Sequence, residues 1–337
     1  MYFNKRDKCP ICSASELTEL YSVPYSDSSI RAYLRNFYNK QGEIEFEYID
    51  KSNFRLLKCY QCDFVFQNEV PNDFLLNKLY EEWIDPVIAK ERNSKFSRIY
   101  YKEQFEELNM LIKYIDKDPH EIKIFDFGIG WANWAKIAKS FGCAVYGSEI
   151  SENRKENAIR NGIIMINWED IPKYEFDIIN TEQVFEHLVN PKETLDYLCQ
   201  SLNRKGIIKI SVPNAYKIEK TISHIDWNDL RAVNVFTPLE HLNSFKPKSI
   251  IVLAKKCNLS SIDLRLKPWN IMHDSFLDLS IYLIKKVYRK VHYPGLKSTS
   301  QYFGKLKASY LNAENSAREE KGLMAAMDFL NYLKMKL

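Results

Sequence analysis

Between residues 121 and 266, short apolar runs alternate with segments whose apolar side chains recur every three or four positions. The first pattern predicts strands at 122–127, 144–148, 163–166, 176–180, 207–212 and 261–266; the second predicts helices at 133–141, 153–161, 191–202 and 247–256. Repeated strand–helix units imply a mostly parallel sheet covered on both faces. The flanks read differently. Residues 1–85 hold a polar, Tyr-rich stretch, an extended segment at 44–57 and a short helix at 73–83, with a break at Pro86. Residues 87–117 carry Ile88, Phe96, Ile99, Phe105, Leu108, Leu111 and Ile115 at roughly helical spacing, so 86–120 reads as connecting helices. Beyond 266, Phe276, Leu279, Leu283, Val287 and Val291 form an apolar stripe opposite Lys285, Lys286, Arg289 and Lys290, which predicts a helix at 274–291. A strand at 302–311 and a helix at 317–333 complete a C-terminal extension, 267–337, expected to cover the acceptor side or to make a homodimer contact.

Composition narrows the class. Hydrophobic residues make up 45% and charged residues 27%, which excludes a disordered or collagen-like chain. The net charge, 48 − 44 = +4, is too mild to argue for nucleic acid. No apolar run reaches the roughly 18 residues of a membrane span, and the first residues lack the apolar core of a secretory signal. The expectation is a cytoplasmic protein with reduced thiols.

Four of the seven cysteines fall in two matched pairs, Cys9-Pro-Ile-Cys12 and Cys59-Tyr-Gln-Cys62, separated by 46 residues. Each C-x-x-C can turn two thiolates toward one ion, and two such knuckles complete a tetrahedron. A redox pair would need a thioredoxin-like context that neither has. Four thiolates leave no open position, so the expected ion is a structural Zn2+, and residues 1–85 read as a zinc-binding domain. The gap exceeds the usual spacing of about 15–20, so a subdomain must lie between the knuckles.

The first strand of the alternating region runs into Asp126-Phe127-Gly128-Ile129-Gly130-Trp131-Ala132. Glycines at a strand-to-helix turn let a ligand approach the backbone, and Glu149 at the end of the next strand can accept ribose hydroxyls. Any nucleoside cofactor fits this much, NAD included. Two details point away from NAD: Asn133 stands where the third Gly of G-x-G-x-x-G belongs, and the polar Asp126 precedes the first Gly.

The ordered set Asp126-Phe-Gly-Ile-Gly, Tyr146-Gly-Ser-Glu149-Ile-Ser, Phe176-Asp-Ile-Ile-Asn-Thr-Glu-Gln-Val-Phe-Glu-His187-Leu, Leu202-Asn-Arg-Lys-Gly206 and Ser211-Val-Pro213-Asn214 resembles class I S-adenosylmethionine (SAM) dependent methyltransferases over residues 121–265. Glu240-His241-Leu-Asn-Ser-Phe245 resembles their small-molecule and sugar branch. The segment from Phe54 to Phe66 and on through Leu79-Tyr80-Glu81-Glu82 resembles the zinc ribbon that precedes many of them. The resemblance implies an α/β fold: a seven-stranded Rossmann-like sheet with helices on both faces, six of its strands in a SAM-binding domain over 121–266 and 302–311 the candidate seventh, with a small N-terminal zinc domain and a C-terminal helical extension. It implies that Asp126, Gly128, Gly130, Glu149 and Ile150 line the methionine and ribose parts of SAM. Asn167, Trp168 and Glu169 would flank the adenine, and Thr181 and Gln183 would lie near the sulfonium. Ala132 stands where the family often has a further Gly, a change expected to narrow the methionine pocket slightly.

A hydroxyl or carbon acceptor also needs a base, for which His187, Glu240 and His241 are the candidates. Sugar C-methyltransferases carry a Tyr two residues before the Glu of Glu-His; Pro238 stands there, which favours O-methylation. DNA amino-methyltransferases share an Asn/Asp-Pro-Pro-aromatic motif where Asn180-Thr181-Glu182-Gln183 stands, and cytosine-C5 enzymes need a Pro-Cys dipeptide that is absent. The expected acceptor is therefore a small molecule, sugar-linked or nucleotide-sugar-like, and not nucleic acid. Sugar C-methylation, a zinc-ribbon interaction module with a degenerate SAM fold, and an NAD-dependent oxidoreductase are the competing readings.

Overall fold

The computed structural model describes residues 2–38, 43–84 and 98–262, together with the backbone of 278–285; the side chain of Arg231 is not among those described. Its contacts gather into two compact units, one formed by 1–90, 181–199 and 209–283, the other by 91–180, 200–208 and 284–337.

In the first unit, strands β1 (Phe3–Lys5), β2 (Leu17–Pro24), β3 (Asn53–Cys59), β4 (Val65–Gln67) and β5 (Glu69–Pro71) come from the N-terminal stretch. β3 pairs antiparallel with both β2 and β4, and β1 with β5. Only the end of the 44–57 segment is extended as expected: Phe46–Tyr48 forms a 3-10 turn, and the strand begins at Asn53. The helix expected at 73–83 is present as Asp73–Lys78, capped by Asn72, and continues as a π turn over Leu79–Trp83. Between the knuckles the chain forms β2, the helix Ser28–Tyr38 and β3, the subdomain that the long cysteine gap requires. The helix puts Ile30, Tyr33, Leu34 and Tyr38 into a core shared with Phe54, Leu56, Trp83, Trp227 and Phe236.

In the second unit, β6 (Lys123–Phe127) lies between β7 (Ala144–Ser148) and β9 (Phe176–Glu182), and β8 (Ile164–Met165) follows β7, all parallel. β6 and β9 are buried along most of their length, the polar Asp126, Asp177, Asn180 and Thr181 included, as suits strands covered on both faces. Phe125 stacks on Phe176 at 5.0 Å. The helix Arg98–Ile115 meets the helix Asn133–Ser140 and its end through Phe105 and Phe141, 4.5 Å apart. The buried carboxylate of Asp177 accepts from Lys117 Nζ, Lys123 N and Asn203 Nδ2 at 2.6–3.0 Å, so its burial is matched by donors.

With β10 (Leu202–Pro213), β12 (Leu259–Ile262) and β13 (Asp278–Lys285), the sheet order is β12-β13-β10-β9-β6-β7-β8. The helix expected at 274–291 is corrected over 278–285: these residues form a strand of the sheet. Leu279 and Leu283 satisfy a helical period, but Leu279, Ile281 and Leu283 equally satisfy a strand's alternation, and pairing in the sheet decides between them. β12 starts two residues earlier than expected, at Leu259. The remaining expectations for 87–97, 263–277 and 286–337, including the strand at 302–311 and the helix at 317–333, lie outside the described residues. Among the described residues no helix is long and apolar enough to cross a membrane.

The first unit is joined by one buried guanidinium. Arg6 donates through Nε and Nη2 to Gln67 O (3.0 and 2.7 Å), through Nη2 to Leu242 O (2.7 Å), and through Nη1 to Asn243 Oδ1 (2.9 Å) and Val189 O (3.1 Å). All of the guanidinium's N–H donors are thereby engaged. Burial lowers its pKa to about 9, so it stays charged at neutral pH. β11 (Asn243–Ser244) extends the antiparallel sheet by pairing with β4. Arg6→Lys keeps the charge but leaves at least one buried acceptor unmet, which should lower stability by about 1–3 kcal/mol. Urea unfolding of the two proteins, followed by fluorescence, checks this; superimposable curves would refute the bracing role.

Candidate functional site

The glycine turn is set by strand register. Phe127 lies opposite Ser148, so the turn begins beside the end of β7. Gly128 N and Ile129 N donate to Ser148 O, and Gly130 N donates to Glu149 Oε2 at 2.9 Å. The other carboxylate oxygen accepts from Ile150 N (2.9 Å) and Ser151 N (3.2 Å), with Arg154 Nη1 at 3.8 Å. Glu149 thus holds the turn closed from below while retaining lone pairs, since a carboxylate offers about four acceptor positions. Gly128 and Gly130 have φ of +71° and +53°, and a Cβ built at Gly130 meets nothing within 4 Å. Ala132 also sits in the left-handed region, at φ +60°, and is fully buried. Its departure from Gly therefore bears on backbone strain, about 1–2 kcal/mol, and not on the width of a pocket.

Asp126 is buried and accepts from Asn180 Nδ2 at 2.7 Å. Ile150, Asn167, Trp168 and Glu169 are all exposed; Trp168, at 41%, is not a core aromatic, and its ring lies 5.7 Å from Phe127. Thr181 is buried and donates to Lys209 O at 3.1 Å. Gln183 is held at φ +54°, and its Nε2 is buried with no hydrogen-bond partner among the described residues. Non-glycine residues in that region cost energy and cluster at functional sites.

The first unit brings His187 and His241 together, ring centroids 4.8 Å apart. His187 Nδ1 donates to the carbonyl of Glu240 at 2.9 Å, with the Tyr80 hydroxyl at 3.3 Å. His241 Nδ1 donates to the carbonyl of Asn234. Because a carbonyl only accepts, both imidazoles carry their proton on Nδ1, and Nε2 presents the lone pair. Burial holds the His187 pKa down to about 4 and that of His241 to about 3, so both are neutral at pH 7. The Glu240 carboxylate points elsewhere, accepting from Tyr38 Oη at 2.7 Å. Two side chains that carry no motif place this cluster. Asn243 Nδ2 donates to Phe185 O and Leu188 O, and Gln67 Nε2 donates to Thr237 O and His241 O.

Residues 110–264 match the family model described as a methyltransferase domain. This match makes residues 110–264 a methyltransferase domain. Among solved structures, the plantazolicin methyltransferase BpumL in complex with a pentazolic desmethylPZN analog and SAH is similar at 16% identity. That match covers 60% of this chain and 90% of the other, with a TM-score of 0.45. A SAM dependent methyltransferase from Archaeoglobus fulgidus is similar at 18% identity, covering 52% and 75%, with a TM-score of 0.39. Magnesium protoporphyrin IX methyltransferase (ChlM) from Synechocystis PCC 6803 with bound SAH is similar at 13% identity, covering 56% and 84%, with a TM-score of 0.40. A comparison with curated protein sequences finds no match.

The cysteine pairs, which lie outside the matched residues, form one cluster. In each knuckle the N–H four residues on (Ser13, Asp63) donates to the first cysteine's carbonyl, and that cysteine's N–H donates to the carbonyl five residues on (Ala14, Phe64). Ser13 and Asp63 both take φ near +60°, so the two turns repeat one another. The Sγ pairs Cys9–Cys62, Cys12–Cys59 and Cys12–Cys62 are 3.5, 3.5 and 3.6 Å apart. A tetrahedron with Zn–S bonds of ~2.3 Å has edges of about 3.8 Å, so the four sulfurs fit a structural zinc. Elemental analysis should find about one zinc per chain, and Cys59→Ser should abolish it and expose the β2–β3 amides to hydrogen exchange. Wild-type chain that is metal-free with those amides protected would refute the assignment.

Proposed function

We propose that the chain transfers the methyl group of SAM to a hydroxyl of a small-molecule acceptor, of the sugar or nucleotide-sugar class. The observation that carries the reading is the pairing of two neutral imidazoles, His241 buried and His187 half-buried, with the Glu240 loop. Such a group suits an acceptor whose proton must be handled, whereas a substrate needing only alignment with the sulfonium would not require it. In this reading His187 or His241 is the base or the group that orients the acceptor, and Glu240, bonded to Tyr38, positions them. Leu239, bulky and at φ +71°, supports it, because strain of that kind marks loops held for function. SAM is held at the glycine turn: Gly128 and Gly130 toward the methionine part, Glu149 at the ribose, and the exposed ring of Trp168 beside the adenine. The resident cofactor supplies the electrophilic methyl carbon; the chain supplies orientation and proton handling. Sugar C-methylation fits less well, since Pro238 and not Tyr stands two residues before Glu240.

Glu149→Ala should weaken SAM binding by roughly 1–3 kcal/mol, because a charged acceptor for the ribose is lost. Calorimetry with SAM measures it, and unchanged affinity would remove the ribose role. His187→Gln and His241→Gln should keep SAM affinity and lose on the order of 100-fold in turnover of a sugar-hydroxyl acceptor, followed as S-adenosylhomocysteine release. Wild-type turnover in both variants would sink the proposed role of the cluster.

A further inference from the structure

Beside the two imidazoles lies a third ligand group. Glu186 is 1% exposed, and its Oε1 is 4.0 Å from His187 Nε2. Glu186, His187 and His241 each bring one ligand atom to a cluster in which these atoms all lie within 4.8 Å of one another. Three atoms so placed sit no more than about 2.8 Å from a common point, about 0.6 Å beyond a metal–nitrogen or metal–oxygen bond of ~2.0–2.2 Å. Small side-chain rotations close that gap.

We propose that Glu186, His187 and His241 form a second metal site, distinct from the four cysteines, for a divalent first-row transition cation. Both imidazoles present Nε2 because Nδ1 is committed to a backbone carbonyl, the outer contact that orients ligating histidines. The backbone that carries them is fixed from outside: Asn243 binds Phe185 O and Leu188 O on either side of Glu186-His187, and Gln67 binds His241 O. The His187 side chain is 26% exposed, which gives a cation and a hydroxyl a way in. Two nitrogens and one carboxylate oxygen leave coordination positions for an acceptor. A hydroxyl bound there would release its proton to bulk water far more readily than a free one. The inference rests on the reading that this cluster handles the acceptor, and it names the means.

The test is a Co2+ titration of the full-length chain with its cysteine site already loaded with zinc, without SAM or acceptor. A second equivalent should bind with the weak visible bands of nitrogen and oxygen ligation. Glu186→Gln, His187→Gln and His241→Gln should each weaken that binding on the order of 100-fold, with near-ultraviolet circular dichroism and SAM affinity unchanged. In wild-type chain the imidazole NMR signals of His187 and His241 should broaden before those of His120 and His224, a readout that needs no variant. No second equivalent, or broadening at other histidines first, would overturn the proposal. Loss of turnover in the histidine variants without any cobalt binding would overturn the metal site while leaving the methyltransferase reading standing.

Discussion

A guanidinium buried among neutral carbonyls is the constraint on which the first unit depends. Removing an ion from water costs several kcal/mol, and Arg6 has no carboxylate within its hydrogen bonds to offset that cost. What offsets it is complete use of a rigid, planar fork of donors. The geometry must be right at every acceptor together, so Gln67, Val189, Leu242 and Asn243 are fixed relative to one another. Asn243 then passes that order to the Glu186-His187 turn, and Gln67 passes it to the Thr237–His241 turn. The histidine cluster is thus only as well placed as Arg6 is satisfied.

The sheet of the methyltransferase domain was legible because its strands carry short apolar runs bounded by glycine or polar turns. Helix coverage removes the need for alternation, and chain order then gives the parallel register. The cysteine knuckles were legible from spacing alone. Arg6, Gln67 and Asn243 were not. Their partners lie 61, 170 and 237 residues away in sequence, and no local pattern marks a polar residue destined for burial. Tyr38 escaped notice for the same reason: on the helix face it reads as core, and only the fold delivers its hydroxyl to Glu240. The segment 278–285 satisfied two periods at once, and a one-dimensional pattern has no means of choosing between them.

Strain is unevenly spread. Ala132, Gln183 and Leu239 take left-handed backbone, and each lies next to a motif singled out for chemistry. Gly142 and Gly162 meet the same demand with the residue suited to it, at the ends of surface helices. Asp116 and Asn258 take it at helix ends as well, and Ser13 and Asp63 in the cysteine knuckles; these are Asp, Asn and Ser, whereas Ala132, Gln183 and Leu239 lack a short polar side chain that eases the conformation.

The distance in sequence between Arg6 and Asn243 also sets an order of assembly. All four cysteines have been made once residue 62 is synthesised, so the knuckles can take their ion early. The Arg6 donors bound for Leu242 and Asn243 wait for about 180 further residues, on the order of 10 s at ordinary rates of translation. During that interval β4 lacks β11, and Gln67 lacks its partners at Thr237 and His241. Metal captured by the nascent chain would hold β3 beside the first knuckle through this wait, when an unpaired strand edge is most open to capture by another chain.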